Sequence, residues 1–157
     1  MSNIVIIPTY KESENIEALV KAISSLRIPF DILIVDDNSP DNTAGIVKNL
    51  QGSFRNLHLI ERPGKLGLGT AYITGFRWAL ENTYDYICEM DADFSHDPAD
   101  LVRLYETCSN GNADVAIGSR YISGVNVINW PLSRVLLSYF ASIYVRLITG
   151  MKIMDTT

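Results

Sequence analysis

The strongest constraint on this 157-residue chain is a regular alternation between short apolar runs and segments of helical periodicity. The apolar runs are hydrophobic on both faces, which is typical of parallel strands covered by helices on each side. They cover residues 4–7, 32–35, 57–60, 86–90 and 115–117. Repeated strand–helix units predict an α/β fold, with an open, mainly parallel sheet flanked by helices and joined by right-handed crossovers.

The segments between the runs place apolar residues at the i, i+3, i+4 and i+7 spacing of amphipathic helices. Helices are predicted from Ile16 and over residues 43–50, 68–82 and 132–149. Another begins where Asp97 supplies an N-cap and Pro98 the first helical position. The alternation stops after Gly118. We therefore expect one domain over residues 1–157, incomplete at its C-terminus.

Composition and charge exclude several classes of protein. A net charge of −5 argues against a nucleic-acid binder, which normally presents a basic face. No basic region precedes the first strand, and the charge-free stretch at 135–145 is shorter than the roughly 20 residues that span a bilayer. We expect a cytoplasmic location, and the sequence leaves open contact with the cytoplasmic face of a membrane.

Polar residues gather where the predicted strands end. Ligands of an open parallel sheet bind outside the carboxyl ends of its strands. Acidic or aromatic residues follow the first, second and fourth runs, and an arginine follows the fifth. These residues are Tyr10, Glu12, Asp36, Asp37, Asp91, Asp93 and Arg120.

Asp91 and Asp93 form the sharpest pair. Two carboxylates one residue apart, in an extended segment that leaves a strand, can share one hard cation. Mg²⁺ and Mn²⁺ prefer oxygen ligands, and Mg²⁺ typically binds through one or two carboxylates plus substrate phosphates. The alternative, that the two acids only cap a helix and solvate the surface, is disfavoured because other strand ends carry matching polar residues. The pair therefore predicts a divalent-metal site.

The residues after the first two runs admit two interpretations each. Asp36 and Asp37 either bond a ribose or base, or order the following turn. We expect one to do each, with Asp37 as the ligand contact. Tyr10 and Glu12 lie where a base could stack and be hydrogen-bonded, although Glu12 could instead favour the start of a helix through its dipole.

Phosphate contacts are expected from a glycine-rich loop and two arginines. The segment 62–70 opens a helix without the spacing of a Walker loop, and Gly67-Leu68-Gly69 is only a weak dinucleotide signal. We interpret it as a tight loop near the phosphates. Arg120 and Arg134 suit phosphate because a guanidinium bonds two oxygens at once, with ion pairing as the alternative.

Taken in order, these segments resemble the family 2 glycosyltransferases, and within them the polyprenol-phosphate (dolichol-phosphate) mannosyltransferases. The resemblance covers essentially the whole chain. It rests on residues 6–12, 35–43, 65–72, 91–96 and 118–121, together with Trp130, Arg134 and Ser138.

The resemblance implies a GT-A (Rossmann-like) fold and inverting transfer of mannose from GDP-mannose to a polyprenyl monophosphate, with Mg²⁺ or Mn²⁺ as cofactor. The site residues that it implies are Pro8, Tyr10, Glu12, Val35 and Asp37 for the guanosine; Asp91, Ala92 and Arg120 for the rest of the donor; Asp91, Asp93 and Ser95 for the metal; and Asp93, Arg120 and Arg134 for catalysis, with Arg134 on the acceptor phosphate.

Departures from the family pattern and rival functions complete these expectations. Lys11 stands where the family often has asparagine, and family members continue beyond Asp155 with residues of the acceptor side. The rivals are a related transferase using UDP-glucose or another nucleotide sugar, a non-catalytic nucleotide-binding remnant, and a receiver-like signalling domain suggested by Asp36-Asp37. The apolar helix at 132–149 could lie in a membrane interface or pack in a core.

Overall fold

The computed structural model describes residues 2–111, 113–119, 131–151, 153 and 155, and the side chain of Arg134 is also outside the description. The chain divides into two units, Met1–Asp114 and Val115–Thr157. In its described part, the first unit alternates strands and helices as predicted. Its elements are β1 Asn3–Thr9, α1 Ile16–Ser24, β2 Asp31–Asp36, α2 Thr43–Leu50, β3 Leu57–Glu61, α3 Leu68–Glu81, β4 Tyr86–Glu89 and α4 Asp100–Ser109.

The four strands form one open, fully parallel sheet in the order β3-β2-β1-β4, which confirms the predicted α/β class. The two central strands, β1 and β2, are buried on both faces, and this is why their sequences are apolar without alternation. One face packs against α3 and the other against α1, α2 and α4. The central-strand residues on the α3 face are Ile4, Ile6, Leu33 and Val35, and those on the opposite face are Val5, Ile7, Ile32 and Ile34.

Two sequence predictions about local structure are wrong. Residues 115–117 form no strand, because a strand requires a hydrogen-bonded neighbour and no pairing of the described sheet includes them. Val115 and Ile117 are exposed instead. Helix α4 begins at Asp100, two residues after Pro98, because Asp97 Oδ1 accepts a hydrogen bond from the Ala99 N–H in a turn that precedes the helix.

Helix α3 lies unusually close to β1. Its buried face carries only small residues at four-residue spacing, Ala71, Gly75 and Ala79. A Cβ atom added at Gly75 would lie 2.4 Å from Ile6 Cγ2, inside the contact distance of two carbon atoms. The glycine therefore sets the distance between the helix and the sheet.

Strands β1 and β4 diverge at their carboxyl ends. Their pairing ends at Ile6 opposite Glu89, where Ile6 O accepts a hydrogen bond from Met90 N. Two residues later on the same edge comes Pro8, which has no N–H to continue the ladder toward β4. The chain order also reverses here, because β2 and β3 lie on one side of β1 and β4 on the other. Such a switch point is where ligands of open α/β sheets bind.

The loop after β1 is clamped by the loop after β2. The N–H groups of Lys11, Glu12 and Ser13 donate to the side chains of Ser39, Thr43 and Asp41 at 3.1, 3.1 and 3.0 Å. Lys11 has φ of 65°, a left-handed conformation that costs most residues about 1 kcal/mol or more and that asparagine tolerates better. The conformation thus suits the asparagine that the family resemblance leads one to expect at this position.

The second unit contains one long helix in its described part, α5 at Leu132–Thr149, as predicted. It ends at Gly150, whose φ of 70° is typical of a glycine C-cap. Many of its exposed side chains are large and apolar. They include Leu132, Leu136, Leu137, Phe140, Tyr144, Leu147 and Ile148. Among the described helices none is both long and apolar enough to cross a bilayer.

The close approach of α3 to β1 predicts the effect of adding one methyl group. Gly75→Ala should destabilise the protein by about 1–2 kcal/mol in urea unfolding, because overpacking against Ile6 outweighs the gain in helix propensity. The matched control is Gly69→Ala in the same helix, where no atom lies within 4 Å of the added carbon. That change should be neutral or stabilising. Equal stability of the two variants would contradict the packing argument.

The loop clamp predicts a dependence of stability on pH. Burial alone raises the pKa of Asp41, but hydrogen bonds from Thr43 and Ser13 outweigh it and lower the pKa from 3.8 to about 2. This carboxylate therefore adds stability, about 1 kcal/mol for a half-exposed group, that is complete above pH ~5 and is lost as the pH falls from about 4 to about 2. Asp41→Asn should flatten the acid limb of a plot of unfolding free energy against pH, and Asp114→Asn, at an exposed position outside the clamp, is the control substitution.

Candidate nucleotide-binding site

A cleft of about 260 Å³ lies in the first unit where β1 and β4 diverge. Its volume is close to the lower end of ordinary ligand pockets, roughly 300 Å³. Most of the residues predicted for the donor line it. These are Pro8, Tyr10, Glu12, Asp37, Asp91, Ala92 and Asp93. They come from the ends of three different strands, as expected if parallel strands deliver their following residues to one edge of the sheet.

Asp36 organises the turn after β2. It is fully buried, and its oxygens accept hydrogen bonds from Thr9 Oγ1 at 2.8 Å, Ser39 Oγ at 2.6 Å and Ser39 N at 2.8 Å. Three donors satisfy a buried carboxylate that would otherwise be costly. Asp36 therefore has the turn-ordering role that one member of the acid pair was expected to have.

Asp37 lies in the wall of the cleft, only 5% exposed, and pairs with Arg62. Arg62 Nε is 3.0 Å from Asp37 Oδ1, and Asp37 Oδ2 accepts a hydrogen bond from Leu66 N at 3.0 Å. The contact with Arg62 is an ion pair without hydrogen-bond alignment, so Oδ1 has no hydrogen bond among the described residues. Asp37 is thus held firmly in the cleft wall, with Oδ1 buried against Arg62.

Arg62 connects the acid pair to the start of α3. It is 7% exposed, its Nη2 donates to Thr70 Oγ1 at 2.8 Å, and Thr70 Oγ1 in turn donates to the carbonyls of Leu66 and Gly67 at 2.8 Å each. Gly67 has φ of 96°, which a side chain would oppose. The glycine-rich loop is therefore fixed by Asp37 and Arg62 at the edge of the cleft.

Tyr10 presents its ring among cations. Lys65 Nζ lies 4.1 Å from the ring centroid and Lys11 Nζ lies 5.7 Å from it, both within the range of cation–π attraction. Glu12 also lines the cleft, and its Oε2 accepts a hydrogen bond from Asn15 Nδ2 at 2.9 Å. Helix α1 begins four residues later, at Ile16, so Glu12 is not in its first turn.

The acids after β4 lie on the other side of the cleft. Asp91 is half-buried, and its Oδ1 accepts a hydrogen bond from Tyr72 Oη at 3.1 Å. Asp93 is exposed, and its Oδ1 accepts one from Ser95 N at 2.9 Å. The hydrogen bonds from Ser95 outweigh partial burial and, with His96 nearby, lower the pKa of Asp93. Asp93 is therefore ionised throughout the neutral range.

These side chains fit a divalent cation that completes its coordination with ligand oxygens. Among the described residues no three His, Cys, Asp or Glu side chains converge on one point. Asp91 and Asp93 line the same cleft, and Asp91 Oδ2 makes no hydrogen bond within the described part of the chain. Two hard carboxylates, without a third His, Cys, Asp or Glu among the described residues, match the way Mg²⁺ binds through substrate phosphates.

The remaining predicted residues lie elsewhere. Val35 is fully buried between the sheet and α3 and does not line the cleft, so the structure gives no support to its predicted contact with the guanosine. Arg120 is outside the described residues, and Arg134 is on α5 with its side chain outside them. Ser95 is exposed beside Asp93.

No sequence pattern predicts an individual role for Thr9, Arg62 or Tyr72, although each contacts a site carboxylate. Their partners are 27, 25 and 19 residues away along the chain. No short-range pattern encodes such contacts. The available signal was positional, because Thr9 and Arg62 directly follow strand residues and Tyr72 follows the glycine-rich loop.

Comparison with known proteins agrees with this architecture. Residues 4–155 match the model of the glycosyl transferase family 2. The chain is 41% identical over its whole length to an undecaprenyl-phosphate mannosyltransferase of Micrococcus luteus, and 44% identical over 155 residues to a polyprenol monophosphomannose synthase of Mycolicibacterium smegmatis. The two matches include 100% and 98% of this chain, but only 64% and 58% of the length of the two relatives.

Solved structures share the fold. A mannosyltransferase of Pyrobaculum calidifontis in complex with GDP-Man and Mn²⁺ matches 57% of this chain and 27% of its own, with a TM-score of 0.53 and 29% identity. The S. aureus protein TarS matches 85% of this chain and 39% of its own, with a TM-score of 0.63 and 23% identity. The chain belongs to glycosyl transferase family 2 and has its GT-A-type α/β fold.

Proposed function

We propose that the cleft binds GDP-mannose and that the chain is the donor-binding part of an enzyme that transfers mannose to a polyprenyl monophosphate. The observation that carries the proposal is the pairing of Tyr10 and Asp37 on one side of a single cleft with Asp91 and Asp93 on the other. An aromatic ring with a carboxylate suits a base, and two further carboxylates suit a metal diphosphate. The mannosyltransferase relatives support the choice of sugar and lipid.

Each residue has a role in the proposal. Tyr10 stacks on the guanine, and Asp37 accepts a hydrogen bond from it. Pro8 and Glu12 complete the nucleoside contacts, and Ala92 lines the route to the diphosphate. Asp91 and Asp93, with Ser95, would hold Mg²⁺ or Mn²⁺, which when bound neutralises charge on the departing diphosphate.

The chemistry requires little acid–base catalysis. An oxygen of the acceptor phosphate attacks the anomeric carbon of mannose. The bond between that carbon and the diphosphate oxygen breaks, GDP leaves with the electron pair, and the configuration at the anomeric carbon inverts. The acceptor oxygen is already an anion near pH 7 and needs no strong base. Arg120 on the donor phosphate and Arg134 on the acceptor phosphate would hold two like charges together.

A different donor is the second candidate. TarS in complex with UDP matches 59% of this chain at 26% identity with a TM-score of 0.52. Glycosyltransferases of one fold can use different bases, because only a few contacts at the base decide the preference. The family assignment, in contrast, disfavours a receiver-like signalling domain. Location at the cytoplasmic face of a membrane remains a prediction of the sequence.

Metal-dependent nucleotide binding provides the first test. GDP with Mn²⁺ should raise the melting temperature more than either alone and more than UDP with Mn²⁺. Asp93→Asn should remove the metal-dependent part, because one of two carboxylate ligands is lost. Asp97→Asn, outside the cleft in the same segment, is the matched control and should behave like the unsubstituted chain. Preference for UDP would overturn the mannose assignment.

Mannose transfer tests the acceptor side. Incubating GDP-[¹⁴C]mannose and a polyprenyl monophosphate with this chain, extended at its C-terminus to the length of its relatives, should give a labelled lipid. Arg134→Ala should lower the transfer rate about 10–100-fold, the worth of a charged hydrogen bond of roughly 1.5–3 kcal/mol, and leave the Kd for GDP unchanged. An equal loss of GDP binding would contradict the acceptor role of Arg134.

A further inference from the structure

Tyr72 makes a specific contact with the first acid of the proposed metal site. Its Oη donates to Asp91 Oδ1 at 3.1 Å, and Asp91 has no other hydrogen bond among the described residues. A phenol has an ordinary pKa of about 10, so it is protonated at neutral pH and donates this hydrogen bond.

The packing of α3 places this hydroxyl. Tyr72 follows Ala71, which is 1% exposed against the sheet, and the helix approaches β1 closely because Gly75 has no side chain to separate it from Ile6. The Tyr72 ring itself packs against the smaller core cluster, on the α3 face of the sheet. Both ends of the side chain are thus held, the ring by apolar contacts and the hydroxyl by Asp91.

We propose that Tyr72 is a positioning residue that orients Asp91 for a divalent cation and the donor diphosphate, an inference that rests on the proposed function. A carboxylate bonded through one oxygen is restricted in rotation before any ligand arrives, and its other oxygen remains available. The conformational entropy of the Asp91 side chain is then lost on folding and not on metal binding. Hydrogen-bonding partners of metal ligands typically change metal affinity 10–100-fold when removed.

The simpler alternative is that the bond only satisfies a half-buried phenol. In that case its loss would affect stability and all ligands alike. A positioning role instead predicts a selective loss, confined to states that contain the metal. The chain offers a matched comparison, because Tyr84 Oη donates to Asp31 Oδ2 at 2.6 Å at the amino end of the sheet, away from the cleft.

The test uses Tyr72→Phe, which removes the hydroxyl and keeps the ring, and Tyr84→Phe as control. The apparent Kd for Mn²⁺ is measured by calorimetry at saturating GDP, and the Kd for GDP is measured separately in EDTA. Tyr72→Phe should raise the apparent Kd for Mn²⁺ about tenfold and leave the Kd for metal-free GDP unchanged. Tyr84→Phe should change neither affinity, whatever it does to the melting temperature.

The outcomes separate this inference from the proposed function. If the unsubstituted chain binds Mn²⁺ with GDP and Tyr72→Phe binds it equally well, the positioning role is overturned and the proposed function stands. Equal weakening of metal-free and metal-bound GDP would also overturn it, because that result indicates a purely structural contact. Absence of Mn²⁺-dependent binding in the unsubstituted chain would overturn both.

Discussion

Two consecutive buried carboxylates at the end of β2 organise the loops around the cleft. A buried charge is tolerated only when donors surround it, so each carboxylate draws a different part of the chain toward itself. Asp36 holds the end of β1 and the turn after β2, through Thr9 and Ser39. Asp37 holds the residue that follows β3 and the glycine-rich loop, through Arg62 and Leu66. The loops that follow three strands are therefore all held by the two carboxylates at the end of one central strand.

The other side of the cleft depends on packing rather than on charge. Helix α3 presents small residues to β1, and the resulting short distance brings Tyr72 to the end of β4. Pro8 ends the ladder between β1 and β4, which lets the two strands separate. The acids after β4 thus lie where the pairing of β1 with β4 ends, beside a helix that Gly75 allows close to the sheet.

The sequence predicts the parts of this design that follow from local rules. The central strands could be identified because burial on both faces leaves no polar position in them. Asp37, Asp91 and Asp93 could be identified as site residues because they follow strands of a parallel sheet. The roles of Arg62 and Tyr72 could not be predicted, because their partners are distant in the sequence and no periodic pattern distinguishes these two residues. Residues 115–117 have strand propensity but pair with none of the described strands, and propensity alone does not make a strand. The full burial of Val35 follows from the same pattern, and it keeps the residue out of the cleft.

Strand β4 joins the sheet across a long span of chain, and this orders the assembly of the molecule. Ser2 and Asp85, which hydrogen-bond at the amino end of β1 and β4, are 83 residues apart, whereas Thr9 and Asp36 are 27 residues apart. Closing the longer loop costs about 1 kcal/mol more entropy, and synthesis delivers β4 after the other strands. One edge of β1 thus stays open during translation until β4 pairs with it. Asp91 and Asp93 enter the cleft only then, after Asp36 and Asp37 can already have found their partners.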